Sequence, residues 1–235
     1  VAVGYQSGQA LTSGSENITI GQGAGDALTT GTRNVAIGHA ALSAENEHGK
    51  NVAIGYLSLL TLDAGVDGFN VAVGYGAGAL MTTGTNNTIM GGQAGDAITT
   101  GSNNIAMGYG ALGSEDTGSR NVAIGQDALG GLNYAGNGYN VAIGHNTGGA
   151  VTTGVQNTII GGLAGDALTT GERNVAIGQS AMGAANGSES RNVAIGWSAL
   201  ASMDADGSNY NTAVGYNVGA AITTAVRNTL IGSLA

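Results

Sequence analysis

The sequence predicts an all-β fold, a β-solenoid or parallel β-roll of about fourteen coils, and three observations carry that prediction. A five-residue motif, Asn-Val-Ala-Ile-Gly and its variants, recurs from end to end at steps of 17 to 19 residues. That period suits one strand-turn coil and is too short for two packed helices. A glycine closes each of the fourteen copies, as happens where the backbone must turn with positive φ or another chain passes close by. The composition agrees, with 45 glycines, no proline, no cysteine and 42% hydrophobic residues in strict register.

The register is defined by the motif asparagines: Asn17, Asn34, Asn51, Asn70, Asn87, Asn104, Asn121, Asn140, Asn157, Asn174, Asn192, Asn211 and Asn228. The first copy, Val1 to Gly4, lacks its Asn. Steps of 19 residues end at Asn70, Asn140 and Asn211, so four coils form a super-repeat of about 70 residues. Repeated Asn in stacked strands predicts an amide ladder. The whole chain, residues 1–235, reads as one repeat array and as a segment of something longer, because it begins and ends partway through a coil.

Counting the Asn as zero, positions one and three are Val, Ile, Thr or Met and alternate as one face of a strand. Position two lies on the opposite face and is mostly Ala: Ala36, Ala53, Ala72, Ala106, Ala123, Ala142, Ala176 and Ala194, with Ile89 and Ile159 in second coils. A strand apolar on both faces is buried on both. Position two is therefore expected to face a neighbouring chain, the small Ala letting a second backbone approach.

After the glycine the coils diverge. In the first and second of each super-repeat an apolar pair leads into threonines, as in Ala97-Ile98-Thr99-Thr100, which predicts a second strand. In the third and fourth the apolar pair comes early and a polar stretch follows, such as Ser114 to Ser119, which predicts a solvated loop. All six basic residues, Arg33, Lys50, Arg120, Arg173, Arg191 and Arg227, directly precede a motif Asn, and at super-repeat boundaries Phe69, Tyr139 and Tyr210 fill that slot. Such a rim position lays an apolar stem down and keeps a polar tip wet.

The repeated Asn-Val-Ala-Ile-Gly followed by Tyr, His or Gln resembles the head repeat of the trimeric autotransporter adhesins of Gram-negative bacteria. Similar repeats, with the pattern Thr-Gly-x-x-Asn-x-Ala-Ile-Gly, occur in phage tail fibres and other secreted bacterial fibres. The resemblance spans essentially the whole chain. It implies a left-handed parallel β-roll, three chains side by side, and a place at the cell surface, outside the cell or on a virion fibre.

Candidate chemistry is sparse. Gly21-Gln22-Gly23-Ala24-Gly25 has the look of a phosphate loop but follows from a periodic glycine with no helix behind it. His39, His48 and His145 lack a matching nucleophile pattern and read as surface histidines. Asp204-x-Asp206 and its counterpart with Asp63 and Asp67 are fragments of a calcium loop without the closing Glu, so calcium is a weak expectation at Asp204 and Asp206. Asp26, Asp96 and Asp166 read as turn residues. The aromatic set Tyr5, Tyr56, Tyr75, Tyr109, Trp197 and Tyr216 is the best candidate ligand surface, since rings stack on sugars or anchor interfaces.

The expected function is a non-catalytic structural rod of a surface adhesin or extracellular fibre, a homotrimer or homopolymer. The alternative is a module binding host glycans or matrix proteins through aromatic rows and loops. Ice binding is weaker, because the Thr pairs occur in two coils of every four. A net charge of −9 argues against nucleic acid and anionic lipid as partners, and no apolar run is long enough for a membrane span. No enzyme and no cofactor beyond that calcium are expected.

Overall fold

A computed structural model describes all 235 residues, which divide into two compact units, Val1–Ser119 and Arg120–Ala235. The first unit contains β1 (Ala2–Val3), β2 (Ile18–Ile20), β3 (Val35–Ile37), β4 (Val52–Ile54), β5 (Val71–Val73), β6 (Thr88–Met90) and β7 (Ile105–Met107). The second contains β8 (Val122–Ile124), β9 (Val141–Ile143), β10 (Thr158–Ile160), β11 (Val175–Ile177), β12 (Val193–Ile195), β13 (Thr212–Val214) and β14 (Thr229–Ile231). Within each unit successive strands pair parallel and in register, so that Ala36 faces Ala53 and Ala176 faces Ala194. Each unit is thus a β-solenoid with one strand per coil, and the chain has no helix that could cross a membrane.

The second strand expected in the first and second coils of each super-repeat does not form. Outside the three motif residues the backbone turns repeatedly, because left-handed residues recur at fixed places. The residue before the Asn is one, as at Arg33 (φ 60°), Lys50 (φ 63°) and Tyr139 (φ 51°). Positions four, six and eight are others, as at Gly38 (φ 133°), Ala40 (φ 50°) and Leu42 (φ 53°). Such kinks cost about 1–2 kcal/mol each in a non-glycine residue, and they cannot coexist with an extended ladder. The threonine limbs still bond coil to coil, Thr82 N–H to Thr99 O at 2.8 Å and Thr152 N–H to Thr169 O at 2.8 Å.

Position two also lies elsewhere than expected. Ala36, Ala53, Ala72, Ile89, Ala106, Ala123, Ala142, Ile159, Ala176 and Ala194 are all at most 1% exposed within the single chain. They line the interior of the coil and cannot be an interface. Positions one and three point outward instead, and Ile20, Met90 and Ile143 are exposed. The inversion follows from the size of the lumen. Large side chains from the turns nearly fill it, so the strand face turned inward is alanine in most coils.

Those side chains come from two places, and the fourth coils use both, as with Leu59 and Leu62. In looped coils position eight is Leu or Met, as at Leu42, Leu59, Leu112, Leu129, Met182 and Leu200, all fully buried. In smooth coils position eight is Gly, and position eleven supplies Leu28, Met81, Ile98, Val151 or Leu168. The space above Gly95 is taken by Ile98 and Ile89, whose Cδ1 atoms lie 2.9 and 3.2 Å from where a Cβ would stand. This explains the larger Ile89 and Ile159 at position two of second coils: they fill volume left by the glycines.

The motif asparagines form the ladder along this core. In the first unit the Asn34 N–H donates to Asn17 Oδ1 at 2.9 Å and the Asn51 N–H to Asn34 Oδ1 at 3.0 Å. In the second the Asn174 N–H donates to Asn157 Oδ1 at 2.9 Å. Most Nδ2 groups reach a carbonyl fourteen residues on, as Asn17 to Gly31 O (2.7 Å) and Asn157 to Gly171 O (2.8 Å), while Asn51 donates to Gly49 O and Asn174 to Glu189 O.

Two outcomes follow. Asn157→Ala leaves Gly171 O and the Asn174 N–H without partners inside the core and should cost about 2–4 kcal/mol, whereas Thr153→Ala at an exposed site should cost less than about 0.5 kcal/mol; equal shifts in denaturant midpoint would refute the ladder. A Cβ on Gly38 would lie 2.3 Å from Gly55 O, while one on Gly76 would meet nothing within 4 Å, although both have positive φ. Gly38→Ala should therefore cost upward of about 3 kcal/mol and Gly76→Ala about 1 kcal/mol, read in the same melts.

Candidate functional site

Three surfaces are built by the coil register. The first is the outward apolar face of the strands. Position three is Val, Ile or Met in every coil of both units, from Val3 to Ile231, and position one is Val, Ile or Thr. Within each unit these side chains form two parallel rows, half-buried against each other and otherwise open to solvent.

The second surface is the row after the motif glycine. Tyr5, Tyr56, Tyr75, Tyr109, Trp197 and Tyr216 are all exposed. His39, Tyr56 and Tyr75 stack in sequence with ring centroids 5.1 Å apart and planes 17° and 10° from parallel. Trp197 and Tyr216 stack at 5.0 Å and 12°. Within these two stacks the adjoining faces cover one another, while Tyr5 and Tyr109 stand outside them. His39, a lone histidine in the sequence, is the first member of a stack.

The third surface is the rim before the Asn. The cations and rings that share this slot meet in successive coils: Lys50 over Phe69 (4.8 Å), Arg120 over Tyr139 (5.7 Å) and Arg191 over Tyr210 (5.8 Å). Lys50 also bonds Asp67, which holds that carboxyl below the usual range. Arg33 pairs with Glu16 at 2.8 Å with both side chains exposed, a pair worth little to stability.

The loops are less solvated than their composition suggests. Glu45, Glu115 and Glu189 are fully buried. Glu45 and Glu115 stand at position eleven, the slot that holds Leu28, Leu62, Ile98 and Leu132 in other coils. Their carboxylates turn back onto the loop, Glu45 Oε1 accepting the His48 N–H at 3.1 Å and Glu115 Oε1 the Gly118 N–H at 2.8 Å. Burial raises the Glu45 pKa above the ordinary carboxylate value, against the pull of those amides. Glu189, in a coil one residue longer, accepts the Gly187 N–H at 3.0 Å. Alignment of the coils on their Asn could have revealed Glu45 and Glu115 as acids in an apolar register.

Glu45, His48 and Asp63 come together with one ligand-type atom each, all within 4.8 Å of one another. The sequence had split this group, reading His48 as a surface residue and Asp63 as part of a calcium-loop fragment. Asp204 and Asp206 do not join such a cluster. Asp206 Oδ1 accepts the Ser188 N–H (3.2 Å) and hydroxyl (3.1 Å), tying its loop to the preceding coil. Asp96 accepts backbone amides of residues 96 and 97, as a turn residue does.

No constellation of nucleophile, base and orienting group is assembled. A cavity of about 430 Å³ in the last coils is lined by the core-register residues Gly219, Ile222 and Leu230 together with the exposed Leu234. No protein-family model, curated protein or solved structure matches the chain.

The half-buried aspartates give a pH test. Desolvation raises the carboxyl pKa of Asp96 and Asp166 above the ordinary value of 3.8. The native state then binds more protons than the unfolded state between those two pKa values, so this contribution to stability is present at low pH and is lost as pH rises through the folded value. The Asp96→Asn, Asp166→Asn double variant should gain in Tm on the natural chain as pH rises above the ordinary carboxyl value of 3.8. A gain in the opposite direction would mean that the two carboxylates are stabilised by the fold.

Proposed function

We propose that the chain is a structural, non-catalytic segment of a bacterial or phage surface adhesin or extracellular fibre, and that it works by assembling with copies of itself. The observation that carries this reading is the outward face of the strands. A soluble monomer rarely leaves a contiguous apolar surface of this kind in water. Here position three is apolar in all fourteen coils, while the inward face already closes a complete core. Nothing inside the coil requires Val or Ile at the outward positions, and burying one against a neighbour gains roughly 1.5–3 kcal/mol.

Parallel chains related by rotation would lay equivalent rows against each other, coil matching coil, and the resemblance of the Asn-Val-Ala-Ile-Gly repeat to the head repeats of trimeric adhesins favours three. The looped coils would then project away from the seam, which fits a surface location and an acidic exterior of net charge −9. A glycan- or matrix-binding role is the second reading, favoured by the exposed aromatic row. Stacking covers the adjoining faces of His39, Tyr56 and Tyr75 and of Trp197 and Tyr216, which reduces the ring face left for a sugar along those stretches.

Light scattering on the purified chain tests the assembly. The natural protein should have about three times the monomer mass, and Ile37→Glu with Ile54→Glu, both on the outward face, should yield a folded monomer with unchanged circular dichroism. Ala123→Glu with Ala142→Glu, placed inward, should unfold the chain instead. A natural protein that runs as a stable monomer would remove the basis of the proposal.

A further inference from the structure

The third coil of the first super-repeat carries a polar cluster that neither the fold nor assembly requires. At position eleven, between the Leu28 of the coil before and the Leu62 of the coil after, stands Glu45, fully buried. Its two oxygens accept only backbone amides, His48 N–H at 3.1 Å and Ala64 N–H at a long 3.5 Å. No cationic side chain neutralises it. A carboxylate held in a core slot without a counter-charge is costly unless it is protonated or bound to a cation.

Two further donors converge on it. His48, three residues on, places Nδ1 3.8 Å from Glu45 Oε1. That nitrogen is sealed from solvent and has no hydrogen-bond partner, although the ring as a whole is 31% exposed. The imidazole is held there by its own backbone, since the His48 N–H is bonded to Glu45 and its carbonyl accepts Asn34 Nδ2 at 3.1 Å. Asp63 arrives from the loop of the next coil. Its neighbour Asp67 is already engaged with Lys50, which leaves Asp63 as the acid available to the cluster.

We infer that Glu45, His48 Nδ1 and Asp63 form a three-ligand site for a divalent transition cation of the Zn²⁺ class. A separation of 3.8 Å is too long for a hydrogen bond between imidazole and carboxylate, and close to the spacing of two ligands around an ion with bonds of about 2.0–2.2 Å. Two carboxylates and a neutral imidazole carry a charge that one divalent ion offsets. The imidazole selects zinc, copper, nickel or cobalt over magnesium and calcium, which prefer oxygen alone. The remaining positions are open to water on the exposed side of Asp63. The ion would tie the loops of coils three and four together across one stacking step.

The register makes the site singular. In the second super-repeat the corresponding positions are Glu115, Gly118 and Asn133, so the acid is kept and both other donors are gone. Glu115 also accepts a loop amide, that of Gly118. His48 and Asp63 are additions to that role.

The test uses the untagged chain stripped with EDTA. Zn²⁺ titrated by calorimetry, and Co²⁺ followed by its visible d–d bands, should each show one saturable equivalent per chain and a raised Tm, unaffected by a hundredfold excess of Mg²⁺ or Ca²⁺. Zn²⁺ should move the imidazole proton resonances of His48 and leave those of His39 and His145 in place. His48→Gln and Asp63→Asn lie in the loops and keep the fold, and each should weaken binding at least about tenfold; Asp204→Asn with Asp206→Asn should not. Absence of saturable binding, binding that survives loss of both His48 and Asp63, or displacement by Ca²⁺ would overturn the assignment, whatever the oligomeric state.

Discussion

The side-chain amide of the motif asparagine is the constraint on which the rest of the structure depends. Each coil has at most three residues of regular strand, so most of its peptide groups must find partners without a sheet to guide them. The asparagine makes two connections at once. Its oxygen takes the N–H of the next asparagine along the stack, and its nitrogen takes a carbonyl near the end of its own coil. The first bond sets the stacking register and the second closes the ring. A carboxylate could not donate the second bond, and a glutamine has one methylene too many to reach both partners from inside the coil.

Once the ring is closed, the interior is small and its contents are forced. Position two must be small where position eight is Leu, and can be Ile where position eight is Gly. The four-coil super-repeat follows from this exchange. Smooth and looped coils are two solutions to filling one lumen: in smooth coils position eight is Gly and position eleven carries the large side chain, whereas looped coils carry Leu or Met at position eight, joined in the fourth coils by Leu62, Leu132 or Met203 at position eleven. The loops fall in the third and fourth coils.

The repeat, its period and the all-β class were legible because they depend on local pattern: a turn glycine, an amide every 17 residues or so, and alternating apolar side chains. The orientation of the strand was not legible. Alternation identifies two faces and does not say which is inside, and the larger, more hydrophobic face is the natural choice for a core. Here the lumen is too narrow for it, a fact set by four left-handed kinks per coil that fall on residues as unlike as Arg33, Ala40 and Leu42. Nothing in those side chains announces a positive φ. The same kinks removed the second strand expected from the Thr pairs. The Glu45, His48 and Asp63 cluster escaped for another reason, since it joins residues of two coils and depends on knowing that position eleven points inward.

The consequence for function lies in where variation is tolerated. Every coil of a unit shares one interior, so a substitution there must answer to the coils above and below, as Ile89 answers to Gly78 and Gly95. Apart from exchanges such as Glu45 for Leu at position eleven, differences between coils therefore fall on rows on the outside, and recognition by such a row is periodic. The aromatic row illustrates the limit this sets. At a centroid spacing of about 5 Å the rings are close enough to satisfy one another, and His39, Tyr56 and Tyr75 spend their faces on mutual stacking. The strand face is different: Val and Ile in adjacent coils touch along the row yet keep their outer methyl groups in water. Of the surfaces the repeat generates, this is the one whose burial is left incomplete by the chain itself, and a second copy of the same row has the matching period to complete it.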